Sequence, residues 1–154
     1  ACLLVIGEIR AREQSALSAF AAEDEETAKR IISTGHLKLP ADVATHLHLC
    51  DLILQPSVWD GMPNSLLEAM ACENLVLASD AGGIPEVLTH GKNGVILSKN
   101  HLNHLGAAIQ ETLELPEAER NKMQNAARKS IQKNFTANHE EKALEMVIRS
   151  ISQN

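Results

Sequence analysis

Short, continuous apolar runs alternate along this chain with stretches of helical period. Residues 3–7, Leu-Leu-Val-Ile-Gly, are apolar without interruption and end in glycine, the pattern of a parallel strand buried on both faces. The turn at residues 8–12 leads into a helix carrying Leu17 and Phe20, and the acidic residues 23–26 read as a solvated face. Residues 30–35 predict a second strand, and Asp42 is placed to cap a helix carrying Val43, Leu47 and Leu49. Residues 52–55, 75–78 and 95–97 are three further strands. Pro85 suits the first turn of a short helix between the last two. From His101 onward the period is helical. Leu102, Leu105, Ile109 and Leu113 share one face, Pro116 opens a second helix, and Ala143, Val147 and Ile151 mark an amphipathic C-terminal one. Strands alternating with helices predict an α/β fold, a Rossmann-like doubly wound parallel sheet followed by C-terminal helices.

The chemistry is densest just after the third of these strands. A loop rich in turn formers precedes a short apolar helix predicted over residues 65–72. In open α/β sheets ligands bind at such carboxyl-end loops, and a helix amino terminus, with unpaired N–H groups and partial positive charge, suits a phosphate. Asp60 stands before this terminus and Glu68 lies one turn inside it. Carboxylates repel phosphate but accept well from sugar hydroxyls, so a ligand with both features is a nucleotide sugar. Each acid also has a plainer reading. Ser65-Leu-Leu-Glu68 has the spacing of a capping box, in which Glu68 accepts from the first N–H of the helix. Asp60 is equally an ordinary loop acid satisfying nearby N–H groups. Gly82-Gly83 reads as a tight turn needing positive φ before it reads as a phosphate loop. Trp59 reads as a lid or packing residue.

Asp60 and Glu68 have seven residues between them and are followed by Ala-Met-Ala-Cys72. Farther on comes Leu75-Val-Leu-Ala-Ser-Asp-Ala-Gly-Gly-Ile-Pro-Glu86-Val-Leu. Together these blocks resemble the donor-binding half of glycosyltransferase family 4, the group 1 transferases of GT-B fold, whose motif is two glutamates at this spacing. The likeness runs over nearly the whole chain and is strongest over residues 52–97; Asp60, one methylene shorter, stands where the family usually has Glu. The resemblance implies that Glu68 accepts from the donor's ribose hydroxyls and Asp60 from hydroxyls of the transferred sugar. Gly61, Met62, Pro63, Asn64, Ser65 and Leu66 would meet the donor mainly through their backbone, the N–H groups around Asn64 to Leu66 facing sugar and phosphate. Asp60 and Glu68 are then the residues on which catalysis turns, by stabilising the leaving group rather than by supplying a nucleophile, with retention at the anomeric carbon. Acceptor contacts would fall to an N-terminal acceptor domain. The family's domain opens with a strand ending in Gly-Arg and a nearby Lys that grip the diphosphate. Residues 7–12, Gly-Glu-Ile-Arg-Ala-Arg, look more like its second strand and acidic turn. The chain is therefore expected to be a C-terminal portion lacking its first strand–helix unit, to leave the gripping Arg and Lys unassigned, and to be inactive when isolated. Asn74 stands where the family commonly has Gly, and a left-handed conformation is expected there.

Length and charge narrow the alternatives. The 154 residues suffice for one nucleotide-sugar-binding domain with a good core. A net charge of -6 argues against a nucleic-acid partner, and two Phe, one Trp and no Tyr give little material for a lectin-like stacking platform. The expected partners are a nucleotide-sugar donor and an acceptor that is a glycan, a lipid or a small molecule; membrane association would come only through other parts of the protein. Cys2, Cys50 and Cys72 lie in apolar contexts and read as buried thiols of a cytoplasmic protein. His46 and His48 point apart on a helix, and His101 and His104 have no third ligand nearby in sequence. With no Asp-x-Asp pair, no metal and no cofactor are expected. Two further readings keep the fold: a phosphorylase or nucleotide-sugar epimerase of GT-B build, and a non-catalytic nucleotide-sugar-binding module.

Overall fold

The structure, a computed structural model, describes residues 1–152. The chain divides into two compact units, Ala1–Cys50 and a second beginning at Asp51.

In the first unit β1 (Leu3–Val5) pairs parallel with β2 (Ile31–Ser33), Leu3 opposite Ile31 and Val5 opposite Ser33. β1 ends short of its apolar run and β2 short of the predicted residues 30–35; beyond them Gly7 and Gly35, with φ of 121° and 64°, meet in an isolated bridge. The helices of this unit are α1 (Ala11–Glu23), α2 (Glu25–Ala28) and α3 (Pro40–Leu47). Leu3 is exposed, so β1 is not the doubly buried strand that its composition predicts, and Ile32 of β2 is exposed as well; Leu47 alone among the unit's apolar residues is buried. The acidic stretch is solvated as expected. Asp24 Oδ1 accepts from Thr27 N–H at 2.9 Å, which holds its carboxyl below the usual range, and Lys29 pairs with Glu25 and Glu26. Asp42 does not cap α3. Leu39 occupies the cap with Pro40 after it, and Asp42 falls in the first turn, where an acid still favours the helix dipole. Leu49 lies beyond the helix and is exposed.

The second unit has a three-stranded parallel sheet, order β3 (Ile53–Gln55), β4 (Val76–Ser79), β5 (Val95–Leu97). Ile53 lies opposite Val76 and Ala78 opposite Ile96. β4 is the middle strand and all four of its side chains are buried, which explains its unbroken apolar run. α4 (Asn64–Ala71) buries Leu66, Ala69 and Met70, the i, i+3, i+4 stripe of one face, and packs on α7 (Glu117–Asn134), which buries Met123, Ala127 and Ile131. Pro116 is the residue that caps α7. The remaining helices are α5 (Ile84–Val87), α6 (Leu105–Leu113) after a 3₁₀ stretch, and α8 (Ala137–Ser152), whose Leu144, Val147 and Ile151 are exposed. Among the described residues no helix is long and apolar enough to cross a membrane. None of the three cysteines forms a disulfide among the described residues; Cys2 is exposed rather than buried, and Cys50 and Cys72 are half-buried.

The turn after α4 differs from expectation in an instructive way. Glu73, not Asn74, has the left-handed conformation, with φ of 59°. The N–H of Asn74 donates to Ala69 O at 3.1 Å and that of Glu73 to Met70 O at 3.2 Å, the paired bonds of a helix-ending motif whose left-handed residue is the first beyond the cap. Asn74 is the buried residue that follows. Glu73 also pairs with Arg128 of α7 at 3.4 Å, both side chains being about 45% exposed. Relief of left-handed strain is worth about 1 kcal/mol, and so exposed a pair only a few tenths. Glu73→Gly is therefore expected to raise stability by about 0.5–1 kcal/mol and the melting temperature by roughly 1–3 °C. A lower melting temperature in a calorimetric scan would mean that the ion pair outweighs the strain.

Candidate functional site

Because β3 and β4 run parallel and in register, the loops that leave them emerge at one end of the sheet. Residues 56–63 follow β3 and residues 80–83 follow β4. Three contacts join the end of β4 and its loop to the loop after β3: the buried Ser79 hydroxyl donates to Ser57 O, Gly83 N–H donates to Gly61 O at 2.6 Å, and Gly82 packs on the backbone of Asp60. Gly82 has φ of 52°, and a Cβ there would lie 1.7 Å from Asp60 O; on Gly83 it would lie 2.6 Å from Gly61 O. Positive φ was the sequence-based reason for this glycine pair, and it holds for Gly82 but not for Gly83, whose φ is -81°. The structure adds a second, that the pair is a seat for the loop bearing Asp60. Asp80 Oδ1 accepts from Lys99 N–H at 2.7 Å, which lowers its carboxyl pKa and ties the loops after β4 and β5 together.

α4 starts with Pro63 as its cap, and no side chain caps it. The capping box that the Ser65–Glu68 spacing suggests is not formed. Ser65 is already the second helical residue, and its hydroxyl donates to Gln55 Oε1 at 3.0 Å. Glu68 is exposed and its carboxylate makes no hydrogen bond or ion pair among the described residues. Helical spacing places Asn64, Ser65 and Glu68 on the exposed side, away from Leu66, Ala69 and Met70. Leu66 N–H donates to Pro63 O at 3.1 Å and Leu67 N–H to the same oxygen at 3.4 Å, so the N–H groups left for a ligand are those of Asn64 and Ser65. Leu66 itself is fully buried and serves as floor to the turn. Gly61 is exposed, Met62 half-buried and Pro63 buried.

Asp60 is half-buried, and its Oδ2 accepts from the Ser57 hydroxyl at 3.3 Å. Ser57 Oγ in turn accepts from Gln55 Nε2 at 3.0 Å. Sequence reasoning missed Gln55 and Ser57; the available signal was a single amide ending an otherwise apolar strand. Trp59 does not pack, being 87% exposed. Burial pushes the Cys72 thiol pKa up, which keeps it neutral and poorly nucleophilic. His101 and His104 meet edge to face, and no group of three or more metal-ligating side chains occurs among the described residues. From residue 39 to residue 91 the sequence contains neither Lys nor Arg. Within this stretch the candidate site offers carboxylates, hydroxyls and backbone N–H groups, a set chemically suited to a hydroxyl-rich ligand with an anionic portion at the helix terminus.

A family model described as glycosyl transferases group 1 matches residues 1–130. The chain belongs to this family. It is 29% identical over 118 residues to N,N'-diacetylbacillosaminyl-diphospho-undecaprenol alpha-1,3-N-acetylgalactosaminyltransferase of Campylobacter jejuni, a match covering 75% of this chain and 31% of the relative. Sucrose-phosphate synthase of Thermosynechococcus elongatus shares the fold with a TM-score of 0.83 at 21% identity, over 98% of this chain and 38% of that one. Anabaena HepE in complex with UDP does so with a TM-score of 0.72 at 20% identity, over 97% of this chain and 41% of that one. The group 1 domain described here thus spans about a third of the curated relative and about two fifths of the solved chains. Its fold is the Rossmann-like α/β fold of GT-B glycosyltransferases.

The glycine seat gives a direct test. Gly82→Ala forces a left-handed alanine into the Asp60 carbonyl and is expected to lower the unfolding free energy by about 2–4 kcal/mol. Gly61→Ala, where a Cβ meets nothing within 4 Å, is expected to change it by less than about 1 kcal/mol. Urea midpoints for the two variants compare them directly.

Proposed function

We propose that this chain binds a nucleoside diphosphate sugar and that the complete protein transfers the sugar to an acceptor, with retention. The observation that carries the reading is the exposed carboxylate of Glu68 one turn inside a helix terminus where, among the described residues, neither that carboxylate nor the N–H groups of Asn64 and Ser65 have a hydrogen-bond partner. Family membership and the UDP complex of HepE support it. In this reading the ribose hydroxyls donate to Glu68, and hydroxyls of the transferred sugar donate to Asp60. The Asn64 and Ser65 N–H groups donate to phosphate oxygens, where negative charge builds as the sugar–oxygen bond breaks. Donors fixed before the reaction stabilise that charge without reorganising. The stretch from 39 to 91 holds no Lys or Arg, so in this reading any charge-neutralising cation comes from outside it, and the acceptor contacts are proposed to lie in other parts of the protein.

The absence of a capping bond sharpens the mutational test of Glu68. Each hydroxyl bond to a carboxylate is worth about 1.5–3 kcal/mol, so Glu68→Ala should weaken donor binding at least about tenfold. As an exposed residue that caps nothing, it should leave stability within about 0.5 kcal/mol. Calorimetric titration and thermal melting of one sample decide; wild-type affinity would sink the ribose assignment.

Transfer is also proposed to need no divalent metal, because the diphosphate is met by a helix terminus. Activity of the complete protein should survive EDTA unchanged. Loss with chelator and recovery with manganese would refute this.

A further inference from the structure

Four side chains at the carboxyl end of β3 form a directed hydrogen-bond chain. Ser65 Oγ lies 3.0 Å from Gln55 Oε1, Gln55 Nε2 lies 3.0 Å from Ser57 Oγ, and Ser57 Oγ lies 3.3 Å from Asp60 Oδ2. An ionised carboxylate only accepts, so the Ser57 proton must point to Asp60. Ser57 Oγ then accepts from Gln55, which must present its NH₂ to Ser57 and its oxygen to Ser65. Ser65 must in turn donate to that oxygen. Every polarity in the chain is thus dictated from the Asp60 end. The backbone of Ser57 is held as well, since its carbonyl accepts from Ser79, a fully buried residue of β4.

We infer that Gln55 and Ser57 are positioning residues that orient the Asp60 carboxylate toward the transferred sugar. They act through a relay that begins at the helix terminus facing the diphosphate. The inference rests on the donor-site reading given above. The relay also has a consequence for Ser65. With its only proton committed to Gln55, its hydroxyl offers lone pairs alone. It therefore accepts from a ligand hydroxyl and adds no donor for phosphate, which leaves the anion to the backbone N–H groups.

Because Asp60 is assigned to the sugar and not to the diphosphate, the relay should affect the two parts of the donor differently. The probes are UDP, GDP and ADP, together with UDP-glucose, UDP-N-acetylglucosamine, GDP-glucose and ADP-glucose, titrated calorimetrically into the complete protein. For the base that the wild type selects, the measured quantity is the gain in affinity from diphosphate to diphosphate sugar. Ser57→Ala and Gln55→Leu are expected to lose about tenfold of that gain, as Asp60→Ala does, while the diphosphate alone stays within about twofold of wild type. Ser57→Thr keeps the hydroxyl and should restore the gain. Wild-type behaviour of Ser57→Ala and Gln55→Leu beside a defective Asp60→Ala overturns the relay and leaves the donor reading standing. Equal losses for diphosphate and diphosphate sugar would mark general damage to the loop and also overturn it. A wild-type Asp60→Ala, or a wild-type protein that binds none of the probes, overturns the donor reading itself and the relay with it.

Discussion

The carbonyl oxygens of Asp60 and Gly61 lie so close to the backbone of Gly82 and Gly83 that no side chain fits between the loops. This contact sets the spacing on which the rest of the site depends. It exists because β3 and β4 are parallel, in register and adjacent, so that both loops leave the sheet at one level. Lacking Cβ atoms, the glycines let one loop serve as the floor of the other, and the Gly83–Gly61 hydrogen bond fastens the two. A wider approach would free the loop and, with it, the direction of the Asp60 carboxylate.

The second element of the site, α4, owes its orientation to burial. Eight residues form too short a helix to be stable alone in water. It is held by Leu66, Ala69 and Met70 against the core and by its packing on α7. That same burial decides which side of the helix faces out, so the exposure of Asn64, Ser65 and Glu68 follows from the apolar stripe opposite them. Packing supplies the rigidity, and the polar side is left open for chemistry.

What the sequence made legible follows the same division. All five strands, the helix after Asp60 and the paired acids were readable, because apolar runs and turn formers are local signals. Features set by partners remote in the chain were not. The spacing of Ser65 and Glu68 fits a capping box, yet Ser65 bonds to Gln55 on the preceding strand, which no local pattern announces. The left-handed turn falls on Glu73 because the helix ends one residue earlier than its composition suggests, and bonds from two successive N–H groups fix that register. Asp42 lost the cap to the residue before Pro40. Likewise, the apolar period of α8 was plain, but period alone cannot say that Leu144, Val147 and Ile151 stand exposed in this structure.

The cation-free run between residues 39 and 91 bears on how a turnover would end. In the proposed reaction the donor's diphosphate is an ester at both ends, whereas the departing nucleoside diphosphate gains about one further negative charge near neutral pH. The stretch that carries Asp60 and Glu68 holds no Lys or Arg to offset that added charge. In the proposed reading, the terminus that steadies the leaving group while the bond breaks has no cation within this stretch to retain the same molecule once it is free. In that proposed reaction such a site would favour product release, a step that often limits enzymes which close around their substrates.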